Sequence, residues 1–300
     1  VNKIERRAVR PHTLDNATRT RIDDRPRKPY RARRTALTVE LSDNVATVTL
    51  IGPGKGNAMG PAFWEELPEV FSQLDADHEV AAIVLVGSGK HFSVGLDLAA
   101  MSLSAPVLAD STSAERRMTL LNEIRRLQAA VTSVAECRKP VIAAVHGWCI
   151  GGGLDLIAAV DIRYASADAK FSLREAKVAI VADIGSLQRL PAIIGDGHLR
   201  ELAFTGKDID AERAQQIGLV NAVFDDAATT LANAHETARA IAANPSPVGL
   251  KDVLGRERVA VIADGLKYVS AWNAAFLPSE DLTEAIRGVL EKRAPQFKGR

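Results

Sequence analysis

From residue 36 onward the chain moves between two kinds of apolar pattern. Leu37, Val39 and Leu41 alternate with polar neighbours, and Val45, Val48 and Leu50 lie in a second β-prone run. This alternation, interrupted at Ser42, Asp43 and Asn44, predicts two short strands joined by a turn. A Gly-rich stretch, PGKGNAM at 53–59, follows. Phe63, Leu67, Val70, Phe71 and Leu74 then recur at helical spacing and predict a helix over 61–75. AAIVLVG at 81–87 and VIAAV at 141–145 are unbroken apolar runs of strand length, the pattern of strands buried on both faces. Between them Leu120, Ile124, Leu127, Val131 and Val134 predict an amphipathic helix over 114–136. The Gly-rich HGWCIGGG leads from the second buried strand into an apolar helix beginning near Gly152. After about residue 196 strands nearly stop, leaving helices over 226–243, 264–276 and 280–292, with NPSP at 244–247 as a break. The order predicts an α/β body over 36–210 and a helical C-terminal region over 211–300.

Composition changes the picture mainly at the start of the chain. Residues 1–35 carry twelve Lys and Arg against four Asp and Glu, so a net charge of +1 divides into a +8 arm and a −7 body. The arm has only five residues from Val, Ile and Leu, no amphipathic period and prolines at 11, 26 and 29, so it is expected to be a basic, disordered extension. It has no apolar stretch such as a secretory signal needs, and the adjacent Asp23 and Asp24 argue against an organellar transit peptide. No run of 18 or more apolar residues offers a membrane span, so no membrane insertion is expected. Cys137 and Cys149 fit neither a disulfide framework nor a CxxC metal spacing. A reducing compartment is therefore expected, the cytoplasm, with an organellar matrix as the alternative.

Three phosphate or nucleophile motifs fail on inspection. GSGKHF at 87–92 lacks the spacing and the final hydroxyl of a P-loop. After Gly151 and Gly153 the position for the last glycine of GxGxxG is Leu156, and a nucleophile elbow around Ser93 would need glycine at His91. What remains is two loops, HFSVGLDL at 91–98 and GWCIGGGLDL at 147–156, each delivering small residues and backbone N–H groups just after a buried strand. Tight turns and close helix packing would account for them, and so would two N–H groups converging on an oxyanion.

VGSGKHFSVGLDL, followed some fifty residues later by AAVHGWCIGGGLDLIAAVDIRYAS, resembles the paired signature of the crotonase, or enoyl-CoA hydratase/isomerase, superfamily. The resemblance spans residues 37–300, PGKGNAM included, and omits the arm. It implies a crotonase-type α/β spiral of ββα units with a helical C-terminal trimerisation region, hence a homotrimer or a dimer of trimers. It also implies an acyl-CoA thioester substrate, with no separate cofactor because coenzyme A is part of that substrate. The family's oxyanion donors correspond to the backbone N–H groups of Leu96 and Gly152.

Three acids then decide the reaction. Asp155 lies in an otherwise apolar helix start, where the macrodipole favours an acid; Glu175 sits beside Arg174 and Lys177, as a solvated surface pair would; Asp183 precedes a short helix, where an N-cap is the default role. Two catalytic glutamates of crotonase-type hydratases match Asp155 and Glu175, the first shortened by a methylene. Asp183 stands where hydratases commonly have glycine. The triple, with GGGLDLIAAVDIRY and ADIGSLQRLP, resembles the Δ3,5-Δ2,4-dienoyl-CoA isomerase branch. That branch implies isomerisation of 3,5-dienoyl-CoA to 2,4-dienoyl-CoA in fatty acid β-oxidation, with Glu175 and Asp183 shuttling protons and Asp155 supporting them.

The same resemblance makes Lys55 and Lys90 candidates for the coenzyme A phosphates, with Asn57, Ala58, Ser93 and Gly95 from the two signature loops, and Phe297 and Lys298 of the APQFKG tail candidates for reaching the nucleotide of an adjoining subunit. Gly56 replaces an arginine common in the family. The six scattered histidines offer no metal cluster, and His146 reads as a packed strand-end residue. Two other readings compete: an enoyl-CoA hydratase, and a non-catalytic RNA- or acyl-CoA-binding paralogue. The RNA reading would draw on the arm and on Arg116, Arg117, Arg125 and Arg126. No aromatic residues interleave with those arginines, so the wet side of a helix is the expected reading and a nucleic-acid partner is not.

Overall fold

The structure, a computed structural model, describes residues 34–52, 55–98, 100, 113–245 and 247–299. The expectation of disorder in the basic arm therefore falls almost entirely outside the described residues. The predicted hairpin forms as β1 (Leu37–Ser42) and β2 (Val45–Leu50), paired antiparallel from Leu37↔Leu50 to Ser42↔Val45. Its tight turn holds Asp43 and Asn44 at φ 52° and 61°, a left-handed pair that short polar side chains tolerate and that follows the twist of the strands. The apolar runs become β3 (Ala82–Gly87) and β4 (Val141–Val145). Together with β6 (Ile162–Ser166) and β9 (Ala222–Phe224) they extend the sheet in parallel, in the order β1-β2-β3-β4-β6-β9. A smaller sheet holds β5 (Trp148–Ile150), β7 (Lys170–Ser172) and β8 (Ile209–Asp210).

The first helices are α1 (Pro61–Ala76), α2 (Ala114–Glu136) and α3 (Gly152–Ala158). A chain segment that leaves the large sheet thus crosses the small one before its helix, as in β4, β5, α3, and this gives the ββα repeat. Short helices follow as α4 (Ser186–Arg189), α5 (Pro191–Ile194), α6 (Asp196–Thr205) and α7 (Ala211–Gln216). The last three are α8 (Ala227–Ala242), α9 (Pro247–Phe276) and α10 (Glu280–Leu290).

One face of the large sheet, with Ile83, Leu85, Val141 and Val145, packs in a single core with Phe63, Leu67, Val70 and Phe71 of α1 and Val131 and Val134 of α2. The other face, with Val84, Val86, Ile142 and Ala144, is covered by Ala234 and Ala238 of α8. Helices on both faces explain why β3 and β4 read as unbroken apolar runs. Each such large side chain contributes about 1.5–3 kcal/mol by leaving water. Glu66 of α1 fastens the start of the sheet, accepting the backbone N–H groups of Thr35, Ala36 and Leu37 at 2.8, 2.9 and 3.1 Å. Beyond residue 210 the chain still serves this core, because β9 and α8 both pack on it.

The main departure from the sequence pattern is α9. Its periodicity predicts a helix over 264–276, whereas the helix begins at Pro247 and runs 30 residues. Leu250, Val253, Leu254, Val259 and Val261 in its first half are exposed, so no single buried stripe marks that stretch as helical. Proline as its first residue acts as a start signal rather than a break.

Candidate active site

The two signature loops are stitched edge to edge. Ser93 donates its N–H to the Trp148 carbonyl at 3.0 Å, and Ile150 returns one to the Ser93 carbonyl at 3.1 Å. Met59 joins from the other side, donating to the Gly95 carbonyl at 2.8 Å and accepting from Asp97 at 3.2 Å. Gly95 is required at the crossing: its φ is +82°, and a Cβ there would lie 2.7 Å from the Ile150 oxygen and 3.1 Å from the Gly152 nitrogen. The next N–H along, that of Leu96, and the N–H of Gly152 at the start of α3 donate to no acceptor among the described residues. Both residues line a cavity of about 1370 Å³.

Asp155, Glu175 and Asp183 line the same cavity. Asp155 is 1% exposed at the end of the first turn of α3, and its Oδ1 accepts the backbone N–H of Ser186 at 2.6 Å. It therefore caps α4 from a distance. Asp183, the expected N-cap of that helix, does not cap it; Gly185 occupies the cap position without a side-chain bond. Instead Asp183 turns inward, its Oδ2 accepting from Asn273 Nδ2 at 2.6 Å and its backbone carbonyl from Gln128 Nε2 at 2.7 Å. Glu175 opens a 3-10 turn, Glu175–Val178. The surface pair its neighbours suggest does not form, because Arg174 bonds Asp208 at 2.9 Å and stacks over Trp148. Glu175 faces inward, and its buried Oε2 has no hydrogen-bond partner.

This crowding governs the charges. Burial pushes Glu175 up to about 8, and the carboxylates of Asp155 and Asp183 add to the rise. Burial likewise pushes Asp183 up to about 7, with the Asn273 hydrogen bond pulling down and Asp155 pushing up. Burial raises Asp155 too, against the Ser186 hydrogen bonds and the positive charge of Arg189, which act the other way. Around neutral pH such a cluster holds carboxyls in both protonation states, the condition for donating a proton at one point and accepting one at another.

The cavity walls are otherwise apolar near the acids. Leu120, Ile124 and Leu127 of α2 line it together with Leu277, from the connection after α9, and Ala285 of α10. The chain's own C-terminal region thus closes its own site. Of the other candidates, Gly95 lines the cavity. The side chains of Asn57 and Ser93 are buried in the loop scaffold: Asn57 Nδ2 donates to the carbonyls of Ser88, His91 and Phe92, and Ser93 Oγ to that of Asn57. Ala58 is half-buried, while Lys55 and Lys90 are exposed on the loops beside them. Phe297 is exposed, and Lys298 is held through its backbone N–H by Asp281 at 2.7 Å. His146 is packed at the end of β4, its Nε2 3.0 Å from the Gly89 carbonyl. Arg116, Arg117, Arg125 and Arg126 lie on the exposed side of α2, with Arg126 paired to Glu123. No metal-ligating cluster occurs among the described residues.

Sequence reasoning missed Asn273 and Gln128. Both are polar residues on otherwise apolar stripes, Gln128 one position after Leu127 and Asn273 four after Val269, and that is the signal that could have found them.

The sequence model of the family described as Enoyl-CoA hydratase/isomerase matches residues 40–300. A protein of Arabidopsis thaliana named Delta(3,5)-Delta(2,4)-dienoyl-CoA isomerase, peroxisomal, is 43% identical over 252 residues, 82% of this chain and 89% of that protein. The protein so named, mitochondrial, of Dictyostelium discoideum is 40% identical over 266 residues, 87% and 91% of the two chains. A probable enoyl-CoA hydratase of Bacillus subtilis (strain 168) is 33% identical over 270 residues, 88% and 99% of the two. Among solved structures, an enoyl-CoA hydratase/isomerase from Xanthobacter autotrophicus Py2 superposes with a TM-score of 0.75 at 29% identity, covering 86% of this chain and 94% of that one. Loops, acids and relatives agree, and the chain belongs to the enoyl-CoA hydratase/isomerase family of enzymes.

Proposed function

We propose that the protein isomerises 3,5-dienoyl-CoA to 2,4-dienoyl-CoA, as a step of fatty acid β-oxidation. The observation that carries the reading is the third carboxyl: Asp183 faces the cavity that Asp155 and Glu175 also line. Adding water across one double bond calls for two acids around one water. Moving two conjugated double bonds toward the thioester removes a proton from C2 and delivers one to C6, too far apart for one fixed carboxyl to serve both ends. Glu175 and Asp183 divide that work, and Asp155 keeps their affinities for protons high by repulsion. The thioester oxygen, which becomes a dienolate oxygen, is held by the N–H groups of Leu96 and Gly152; such donors each contribute about 3–4 kcal/mol to transition-state stabilisation. The acyl chain lies along the apolar wall formed with Leu120, Ile124 and Leu277. Lys55 and Lys90 meet the coenzyme A phosphates, and Asn57, Ser93 and Gly95 shape the loops, with Ala58, that receive the nucleotide end. Phe297 and Lys298 of the tail reach the nucleotide end in an adjoining subunit.

The relatives named dienoyl-CoA isomerase are more similar than those named probable hydratase, which supports the same choice. Their names carry peroxisomal and mitochondrial compartments rather than the cytoplasm, and an organellar matrix is the compartment we propose here. The exposed face of α9 with Tyr268, Trp272 and Phe276 is proposed as the surface joining three copies. The test is incubation with a 3,5-dienoyl-CoA and, separately, a 2-enoyl-CoA, followed by ultraviolet absorption, which reports conjugation of the diene with the thioester, and by mass analysis. Conversion of the dienoyl substrate to an isomer of unchanged mass supports the reading; gain of one water by the 2-enoyl substrate, with the dienoyl substrate untouched, replaces it with a hydratase.

A further inference from the structure

Gly95 makes the crossing of the two signature loops possible, and the same lack of a Cβ leaves its own φ and ψ loosely restrained. The bonds on either side of its Cα must therefore set the backbone there. On one side its carbonyl, which shares a peptide with the Leu96 nitrogen, accepts the Met59 N–H at 2.8 Å. In a planar trans peptide the N–H points opposite to the carbonyl, so the Leu96 N–H is directed away from Met59. On the other side the Gly95 N–H donates to Ser93 Oγ at 3.2 Å, and that hydroxyl donates to the Asn57 carbonyl at 2.9 Å. The directions are fixed, because a backbone N–H can only donate and a carbonyl can only accept. Asn57 is itself held at φ 54° by its side-chain Nδ2, which bonds the carbonyls of Ser88, His91 and Phe92. Ser93 is 0% exposed, so its hydroxyl has no solvent to turn to.

We propose that Ser93 is a positioning residue for the oxyanion site: its hydroxyl bridges the Gly95 N–H to the Asn57 carbonyl and thereby aims the Leu96 N–H at the thioester oxygen. The inference rests on the reading of that N–H as an oxyanion donor, and it gives a buried side chain a part in the reaction without contact with substrate. Backbone pairing alone does not supply the aim. Val94 donates to the Gly56 carbonyl at 2.9 Å and Asp97 to that of Met59 at 3.2 Å, so residues 56–59 and 93–97 pair at both ends. Between those ends Asn57 and Gly95, at φ 54° and 82°, break the ladder, and the Asn57 carbonyl is met by a hydroxyl in place of an N–H. The Ser93 backbone is meanwhile pinned to the second loop, donating to the Trp148 carbonyl and accepting from Ile150. Its hydroxyl thus ties the direction of the Leu96 N–H to the loop that carries the Gly152 N–H. Without that hydroxyl a buried N–H and a buried carbonyl lose their partners, and the least costly relief is rotation of the peptides flanking Gly95, which glycine permits.

Two variants test the idea: Ser93→Ala, which removes the hydroxyl with little change of volume, and Ser93→Cys, which puts a weak donor and acceptor in its place. The readout is the thioester carbonyl stretch of octanoyl-CoA, labelled with 13C at the carbonyl and bound at saturation, by difference infrared spectroscopy. This saturated thioester has no double bond to move, and hydrogen bonds donated to its carbonyl lower the frequency. The band on the unaltered protein should lie below that of the free thioester. In Ser93→Ala it should move back toward the free position, with Ser93→Cys between the two. Removing an oxyanion donor costs about 10²–10³-fold in kcat, so misdirecting one should lower kcat for a 3,5-dienoyl-CoA by about 10–100-fold, with KM changed by less than about 3-fold. A band that stays in its unaltered position in folded Ser93→Ala overturns the inference, even if turnover and Tm have fallen, because a merely structural role would not move it. Should Ser93→Ala not fold, Ser93→Cys decides by the same criterion. A band on the unaltered protein no lower than that of the free thioester also overturns it, there being no oxyanion donor to aim. Absence of isomerisation by the unaltered protein, with the band still responding to Ser93→Ala, would overturn the isomerase reading and leave the positioning role standing.

Discussion

Replacing Gly95 with alanine disturbs the crossing of the two signature loops and little else. The new Cβ would stand 2.7 Å from the Ile150 carbonyl oxygen and 3.1 Å from the Gly152 nitrogen, at φ +82°. The left-handed backbone alone costs about 1–2 kcal/mol for a residue with a Cβ. Both close neighbours are backbone atoms, so the clash is relieved only by moving the loops apart by several tenths of an ångström. If the Gly152 N–H is an oxyanion donor, that movement weakens it where negative charge develops, and loss of such a donor costs about 10²–10³-fold in kcat. We expect kcat for a 3,5-dienoyl-CoA to fall about 100-fold, KM to change much less, and Tm to drop by about 4 °C. Gly195→Ala is the control. It has φ +78° with nothing within 4 Å of the added Cβ, so it should lower Tm similarly and leave kcat unchanged. A Gly95→Ala enzyme with near-normal kcat and a lowered Tm would refute the reasoning, since strain would then be present without consequence for the oxyanion.

Glu175→Gln and Asp183→Asn should each fold and lose most isomerase activity, measured by steady-state turnover beside circular dichroism. Glu175→Gln should also alter the pH dependence of stability. A carboxyl raised from the ordinary range to about 8 favours the folded state below about pH 4.5 and loses that contribution as pH rises through 8, so the variant's advantage in denaturant titrations should grow across that window. Removing residues 1–33 should leave kcat/KM intact, because the family match begins at residue 40 and the hydrogen bonds from the chain to Glu66 begin at Thr35. For the proposed assembly of three 32.1 kDa chains, Trp272→Glu combined with Phe276→Glu should leave a monomer by light scattering, where the unaltered protein gives the mass of three.

The hairpin, the buried strands, α1 and α2 were legible in the sequence because each carries one dominant period set by burial on one face or on both. The first half of α9 was not, because its apolar side chains surround the helix without a buried stripe and its N-terminal Pro247 resembles a break. At the site, the local patterns pointed the wrong way. Glu175 stands beside Arg174, which pairs with Asp208 instead, and Asp183 stands before a helix that Asp155 caps from 31 residues earlier in the chain. Only the family resemblance joined the three acids. The buried amide that bonds Asp183, that of Asn273, comes from 90 residues further along the chain, and no local pattern reaches that far.

The central claim is that two carboxyls, not one, move the protons. Isomerisation of a 3,5-dienoyl-CoA in heavy water, stopped after a single turnover and mapped by NMR, tests it most directly. With Asp183 and Glu175 acting at separate ends, the C2 proton stays on the base and the acid delivers a solvent-equilibrated one, so the product should carry one deuterium at C6. Full transfer of the original C2 proton to C6, with no deuterium taken up, would mean that one carboxyl carries it the whole way and would contradict the account.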